Sequence, residues 1–309
     1  MKRTHTQLSR KIKKYAPFYI LMFPGLLYLF CNNYLPMLGL VMPFKKVNLM
    51  EGIFGGEWVG LRNFSFLVNS PDFLLMIRNT VGYNLVFLIG GPVVGIFIAF
   101  FFHEIAGRRS LKVYQTIILL PALISIQIVS YMVFAFLNGD NGMLNKIVLP
   151  FFGRAPIQWY SQEQYWPFIL IFVYFWMKAG FNGVIYFASM LSISSEYYEA
   201  AQLDGASKWK QFTSITLPLI KPTVITLTII GLGSLFKSDF GLFYQVPMNS
   251  GPLYNVTQTI DTYVFRGMTG TGNLALSAAA GFLQSVIGAI TVFAANLIIR
   301  RVSPEDAMF

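Results

Sequence analysis

Six long apolar runs, at 18–42, 81–102, 114–137, 167–191, 223–243 and 276–299, decide what this chain can fold into. A helix needs roughly 20 mostly apolar residues to cross a bilayer, because only a fully hydrogen-bonded backbone is stable where there is no water. Each run is long enough to span with some tilt, although Lys237 and Asp239 interrupt the fifth. Composition agrees, with 55% of the 309 residues hydrophobic and 12% charged, against about a quarter charged in soluble proteins. The expected fold is all-α, an integral membrane domain of six transmembrane helices over 18–299. The first run is much longer than a signal-peptide core and lacks a small-residue cleavage site, so it is expected to remain in the mature protein.

The basic residues sit where topology would put them. Lys2, Arg3, Arg10, Lys11, Lys13 and Lys14 precede the first run, Arg108, Arg109 and Lys112 separate the second from the third, and Arg300 and Arg301 follow the sixth. Lysine and arginine accumulate on the cytoplasmic side. The basic N-terminus 1–17, the loop 192–222 and the tail 300–309 are therefore expected in the cytoplasm of a bacterium, with the chain multi-pass in its plasma membrane. The connections near 45–77, 138–166 and 244–275 fall outside. The first of these carries Trp58, Phe64 and Phe66 among several glycines and reads as a structured cap near the interface. This placement, and not a continuous basic stripe, explains the net charge of +10 and argues against nucleic acid as a partner. A single cysteine, Cys31, excludes a disulfide framework and a cysteine-based metal site and reads as a packed thiol. His5 and His103 read as isolated, so no metal site and no catalytic residue is expected.

The least lipid-like stretch lies between the fourth and fifth runs. Ser195 is placed as an N-cap with Glu196 in the positive first turn, and Asp204-Gly205 reads as a stop because glycine accepts a left-handed backbone. The spacing predicts a short helix with Tyr197, Ala200, Ala201 and Asp204 on one face, where paired alanines admit close approach of another surface. From the residues alone this is either a solvated connector or a docking helix. So short a helix is marginal by itself and needs something to hold it.

The series Glu199-Ala200-Ala201, Asp204-Gly205-Ala206, Phe212, Ile215 and Leu217-Pro218 resembles the EAA loop of binding-protein-dependent ABC importer permeases. The resemblance implies a type I permease fold in which Glu199, Ala200, Ala201, Asp204, Gly205, Ala206, Leu217 and Pro218 form a coupling helix and its flank against a cytoplasmic ATPase. Further stretches, Pro24-Gly25, Tyr34-Leu35-Pro36-Met37, Phe44-Lys45-Lys46, Trp58-Val59-Gly60-Leu61, Arg78-Asn79-Thr80 and Asp261-Thr262-Tyr263-Val264, are similar to the polysaccharide-type branch of sugar permeases. They imply import of oligosaccharides larger than disaccharides.

Ionisable groups inside spans are costly and face a cavity or a partner, which singles out Lys178, Lys237 and Asp239. Tyr174, Phe181 and Asn182 surround Lys178 in sequence, and aromatic faces with hydrogen-bonding groups suit sugar rings. In maltose-type relatives the spans flanking the EAA loop contribute to the sugar site, which adds Leu235 and Ser238 to the expected pathway. A lysine at position 178 suggests an acidic or sulfated sugar, or an ion pair with Asp239.

No Gly-x-x-x-x-Gly-Lys-Ser/Thr loop is present, so this chain carries no cofactor and ATP with Mg is expected on partner subunits. The resemblance implies a second permease, two ATP-binding subunits, an extracellular lipoprotein or periplasmic sugar-binding protein, an oligosaccharide and surrounding lipid as partners. Two alternatives use the same charges. An intramembrane enzyme with Lys178 and Asp239 as acid and base lacks any accompanying nucleophile. A proton-coupled secondary transporter would be expected to show repeated halves, which are not evident. A permease for a non-sugar solute is a third alternative.

Overall fold

The computed structural model describes residues 2–47, 52, 54–105, 107–270 and 273–302; the last residues of the 300–309 tail lie outside these. Thirteen α-helices follow one another among the described residues: α1 (Lys2–Leu29), α2 (Arg62–Val68), α3 (Pro71–Glu104), α4 (Arg108–Leu123), α5 (Ile126–Leu137), α6 (Leu149–Phe151), α7 (Trp166–Leu191), α8 (Ser195–Leu203), α9 (Lys208–Gln211), α10 (Leu217–Leu232), α11 (Tyr254–Thr257), α12 (Ile260–Thr269) and α13 (Leu274–Val302). Among the described residues, five helical stretches are long and apolar enough to cross a membrane: Lys14–Phe44, Pro71–Glu104, Glu163–Leu191, Lys208–Leu232 and Leu274–Leu297.

Two of the six expected spans need correction. The run 114–137 is not one helix, because α4 and α5 meet at a bend of 93°. Ile124 and Ser125 both take extended backbone there, and Pro121 has no N–H to give the carbonyl four residues back. Counted together, the pair makes a sixth, broken span. The run 223–243 is displaced: its helix starts further back and ends at Leu232, and 233–240 passes as turns to a wide helical turn at Gly241–Gln245. Hydropathy sees the apolar residues on both sides of this break but not the break itself.

Wide turns of this kind recur with a sequence cause. The π-helical segments Phe30–Tyr34, Leu144–Val148, Phe212–Thr216 and Gly241–Gln245 are each followed two residues later by a proline, Pro36, Pro150, Pro218 and Pro247. Proline offers no N–H and its ring pushes away the carbonyl one turn back, so the preceding turn widens. The N–H groups of Leu35, Leu149 and Leu217 accordingly reach five residues back, to the carbonyls of Phe30, Leu144 and Phe212.

The bundle is organised around α3 and α7. Gly95 approaches Asn182 and Tyr186 so closely that a Cβ would fall 2.9 Å from both, and on the other side of α7 a Cβ at Gly180 would run into the carbonyl of Ile118 in α4. Small residues permit this approach in the absence of a strong hydrophobic drive between helices in lipid. At one end of the α3–α7 pair, Tyr83, Phe87, Trp166, Leu170, Leu242 and Phe243 form a buried cluster. At the other end, Ala99, Phe102, Tyr186, Phe187, Met190 and Phe212 form a second.

The motif Arg78-Asn79-Thr80 fastens the 254–262 segment to α3. Arg78 and the Asn79 amide donate to the Asn255 carbonyl at 2.7 and 3.0 Å, Asn79 also donates to the Gln258 carbonyl, and Ile260 N–H donates to Thr80 Oγ1 at 3.0 Å. Phe44 stacks on Trp58 and meets Phe64 and Phe282, tying Trp58 and the start of α2 to α13. Residues 17–38 of the first span are exposed throughout, and Cys31, expected to be packed, is exposed with them.

Candidate functional site: a cavity beside the α3–α7 crossing and an exposed helix below it

A cavity of about 330 Å³ opens between α3, α7 and α10. Its wall includes Tyr174, Phe181 and Asn182 from α7, Asn84 and Phe87 from α3, and Thr228 and Ser234 from α10 and its exit. Tyr174 is fixed by a parallel stack on Phe87, with ring centroids 3.6 Å apart. The site thus offers aromatic faces, amides and hydroxyls, a set matched to rings that present both C–H surfaces and hydroxyl groups.

The other expected pathway residues divide. Lys178 is exposed, one helical turn from Tyr174 and from Asn182 on the same face of α7, though it is not itself part of the cavity wall. No ion pair joins it to Asp239: the salt bridges between described residues are at His103–Glu104 and Lys208–Glu104. Asp239 instead accepts from the Leu242 N–H at 3.2 Å and caps the wide turn that follows. Ser238 is buried and held structurally, its N–H and Oγ both donating to Asp261 Oδ2 at 2.7 Å. Leu235 and Lys237 contribute carbonyls that accept from the Asn84 amide at 2.8 and 3.2 Å. The Lys237 side chain lines a second cavity with Asp261 and Gln284, on the α13 side.

Asn84, Thr228 and Ser234 escaped the sequence reading. A neutral amide or hydroxyl in a span carries no signal of its own, whereas charges stand out. Asn84 has a double role, since it lines the cavity and holds the strand of backbone that leaves α10.

Beyond the second core cluster, α8 has no buried residue. Its N-cap is Ser194 and not Ser195, with the Glu196 N–H donating to Ser194 Oγ at 3.4 Å. Gly205 ends it with φ +74°. The Gly205 N–H donates to Gln202 and the Ala206 N–H to Ala201, at 3.0 and 2.9 Å, the paired bonds of a Schellman stop. Glu199, Ala200, Asp204 and Gly205 are exposed, Ala201 and Ala206 are half-buried, and Leu203 is 91% exposed. The return segment is anchored: Gln211, buried, donates to the Ala206 carbonyl at 2.9 Å, and the Tyr198 and Thr216 hydroxyls lie 2.9 Å apart. Leu217 and Pro218 open α10, with Pro218 exposed. His103, read as isolated, has Nδ1 at 3.6 Å from Glu104 Oε1, a neighbour in sequence.

At the opposite end Arg266 is packed over the Tyr254 ring at 3.7 Å and donates to Asn249 Oδ1 at 2.8 Å. Burial lowers its pKa from the usual arginine range, an effect opposed by Tyr254 and Tyr244. Among the described residues no group of three or more His, Cys, Asp or Glu side chains is placed to hold a metal ion.

Residues 91–304 match the family described as binding-protein-dependent transport system inner membrane component. The chain is 30% identical to the polygalacturonan/rhamnogalacturonan transport system permease protein YteP of Bacillus subtilis (strain 168), over 98% of this chain and 94% of that one. It is 31% identical to the protein LplB of the same organism, over 93% and 89%. Among solved structures, a chain of a bacterial ABC transporter involved in import of the acidic polysaccharide alginate superposes with TM-score 0.85 at 31% identity, covering 96% of this chain and 99% of the other. A second structure of the bacterial alginate transporter, in complex with a periplasmic protein bound to alginate pentasaccharide, superposes with TM-score 0.84 at 30% identity. With its membrane-length helices and a family match over most of its length, this chain belongs to the binding-protein-dependent transport system inner membrane components and is a multi-pass transport subunit.

Proposed function

We propose that this chain is one of two membrane-spanning subunits of an ATP-driven importer of acidic oligosaccharides. The observation that carries the reading is Lys178, an exposed cation without an ion-pair partner among the described residues, on the helix face that bears Tyr174 and Asn182 of the cavity. A lysine within a span is costly unless something answers its charge, and a carboxylate-bearing sugar does so. The names of YteP and of the alginate transporter, both carriers of acidic polysaccharides, support the same substrate class.

One of two ATP-binding subunits docks on α8 through Glu199, Ala200, Ala201, Asp204 and Gly205, the other on the second permease, and ATP with Mg is bound on those subunits and not on this chain. A second permease covers the exposed first span, and an extracellular or periplasmic binding protein delivers the sugar at the end opposite α8. Both termini and α8 are cytoplasmic. ATP binding draws the coupling helices together, the two permeases rock, and the cavity changes the side to which it opens; hydrolysis resets it.

The test is uptake by the reconstituted four-subunit complex with its binding protein, offered trigalacturonate or maltotriose. Trigalacturonate is expected to be carried in preference, and Lys178→Gln to reduce its uptake about tenfold or more, the worth of a charge-assisted hydrogen bond, while ATPase subunits still co-purify. Equal uptake of both sugars, unaffected by Lys178→Gln, would sink the acidic reading.

A further inference from the structure

Coupling requires more than a docking helix, because α8 has no fully buried residue and would move without consequence unless something ties it to the cavity. The tie is visible at the end of α3. Lys208, three residues beyond the Gly205 stop, places Nζ 3.4 Å from Glu104 Oε2, and Glu104 is the last residue of α3. His103 lies on the other oxygen of the same carboxylate at 3.6 Å, and its ring packs against Tyr198 of α8 with centroids 5.2 Å apart. One turn back along α3, Phe100 packs on Trp209 and Phe212 at 6.1 and 4.6 Å. Residues on both sides of the stop are thereby bound to the last turn of a single helix.

That helix is the continuous 34-residue α3, and it also carries Asn84, Phe87, Leu88, Gly91 and Pro92 of the cavity wall. From Gly91 to Glu104 the rise is about 20 Å at 1.5 Å per residue. A packed helix of that length moves as a body, since interiors resist local compression.

We propose that Glu104 and Lys208 are positioning residues that latch the 195–216 segment to α3, so that α3 conveys the displacement of the coupling helix to the cavity. This rests on α8 being the ATPase-docking element. The ion pair is half in water, with Lys208 60% and Glu104 29% exposed, so its loss loosens the attachment of the segment, which the aromatic contacts still hold in place, without unfolding the chain.

The experiment uses the whole reconstituted complex in a Cys31→Ser background with Thr228→Cys in the cavity wall. The rate of labelling by a membrane-impermeant maleimide is measured with and without ATP, Mg and vanadate, alongside co-purification of the ATPase subunits. In the parent, nucleotide changes the labelling rate. Glu104→Gln or Lys208→Met is expected to reduce that change about two- to fivefold with the ATPase still bound, and the exchange Glu104→Lys with Lys208→Glu to restore it. Lys210→Met, which removes a neighbouring charge outside the latch, leaves the response intact. Full response in both single variants, no recovery in the exchange, or an equal loss in Lys210→Met overturns the latch while the coupling reading stands. Absence of any nucleotide response in the parent, or ATPase bound without α8, overturns the coupling reading and the latch with it.

Discussion

At the residue scale, the chain uses its few polar groups as structural pins more often than a reading by charge suggests. Asp239 stands out as a charge within an apolar run and Ser238 enters through the likeness to maltose-type relatives; each bonds to backbone or side-chain partners that shape the exit from α10. Lys178 differs, as no salt bridge among the described residues involves it. Gly205 is the residue whose identity is most tightly set by backbone. At φ +74° a β-branched side chain is strained by about 1–3 kcal/mol, and the two bonds that close α8 depend on that conformation. Gly205→Val is therefore expected to reduce recovery of ATPase subunits with the purified complex, and Gly205→Asn, which tolerates the left-handed region, to retain most of it. Undiminished recovery with valine would show that the stop does not matter for docking.

At the element scale, the long apolar runs and the short helix α8 were legible, whereas the amphipathic α12, capped by Thr259 and Thr262, was read only as part of the 244–275 connection. The first, second, fourth and sixth apolar runs all correspond to membrane-length helices, and α8 was legible from serine, glutamate and Asp-Gly, with its cap misplaced by one residue. What stayed hidden were the breaks. The 93° bend at Ile124 and Ser125 follows from backbone conformation that an isoleucine and a serine do not announce. The cavity was half legible: Tyr174, Phe181 and Asn182 were found beside a conspicuous lysine, whereas Asn84 and Thr228 arrive from α3 and α10, distant in sequence, and are brought there by the packing of those helices with α7. The proline rule for wide turns supplies a prediction at this scale. In Pro218→Ala a new N–H is free to donate to the Ser214 carbonyl, and closing the wide turn Phe212–Thr216 to an α-turn would rotate α10 by about 100° per residue of register against the segment before it. Uptake is expected to fall in this variant while the melting temperature of the complex holds or rises. A fall in melting temperature with normal uptake would refute the register argument.

At the scale of the whole molecule, the chain is built as one part of something larger. Its first span is exposed along 17–38, its α8 has no fully buried residue, and two of the three core clusters among the described residues lie along the α3–α7 pair. The bend in the third span adds a demand on the surroundings. Helix α4 has 16 residues and so rises about 24 Å, short of a hydrocarbon core of about 30 Å, and α5 turns off at 93° and adds almost nothing along the same axis. Lipid beside this face must thin to meet it, at a cost that grows with chain length. The same complex reconstituted in vesicles of successively longer acyl chains should therefore lose uptake steadily, in a manner that substitutions at the cavity or at α8 do not alter. The thickness of the bilayer becomes a variable to which this transporter is tuned by a single broken helix.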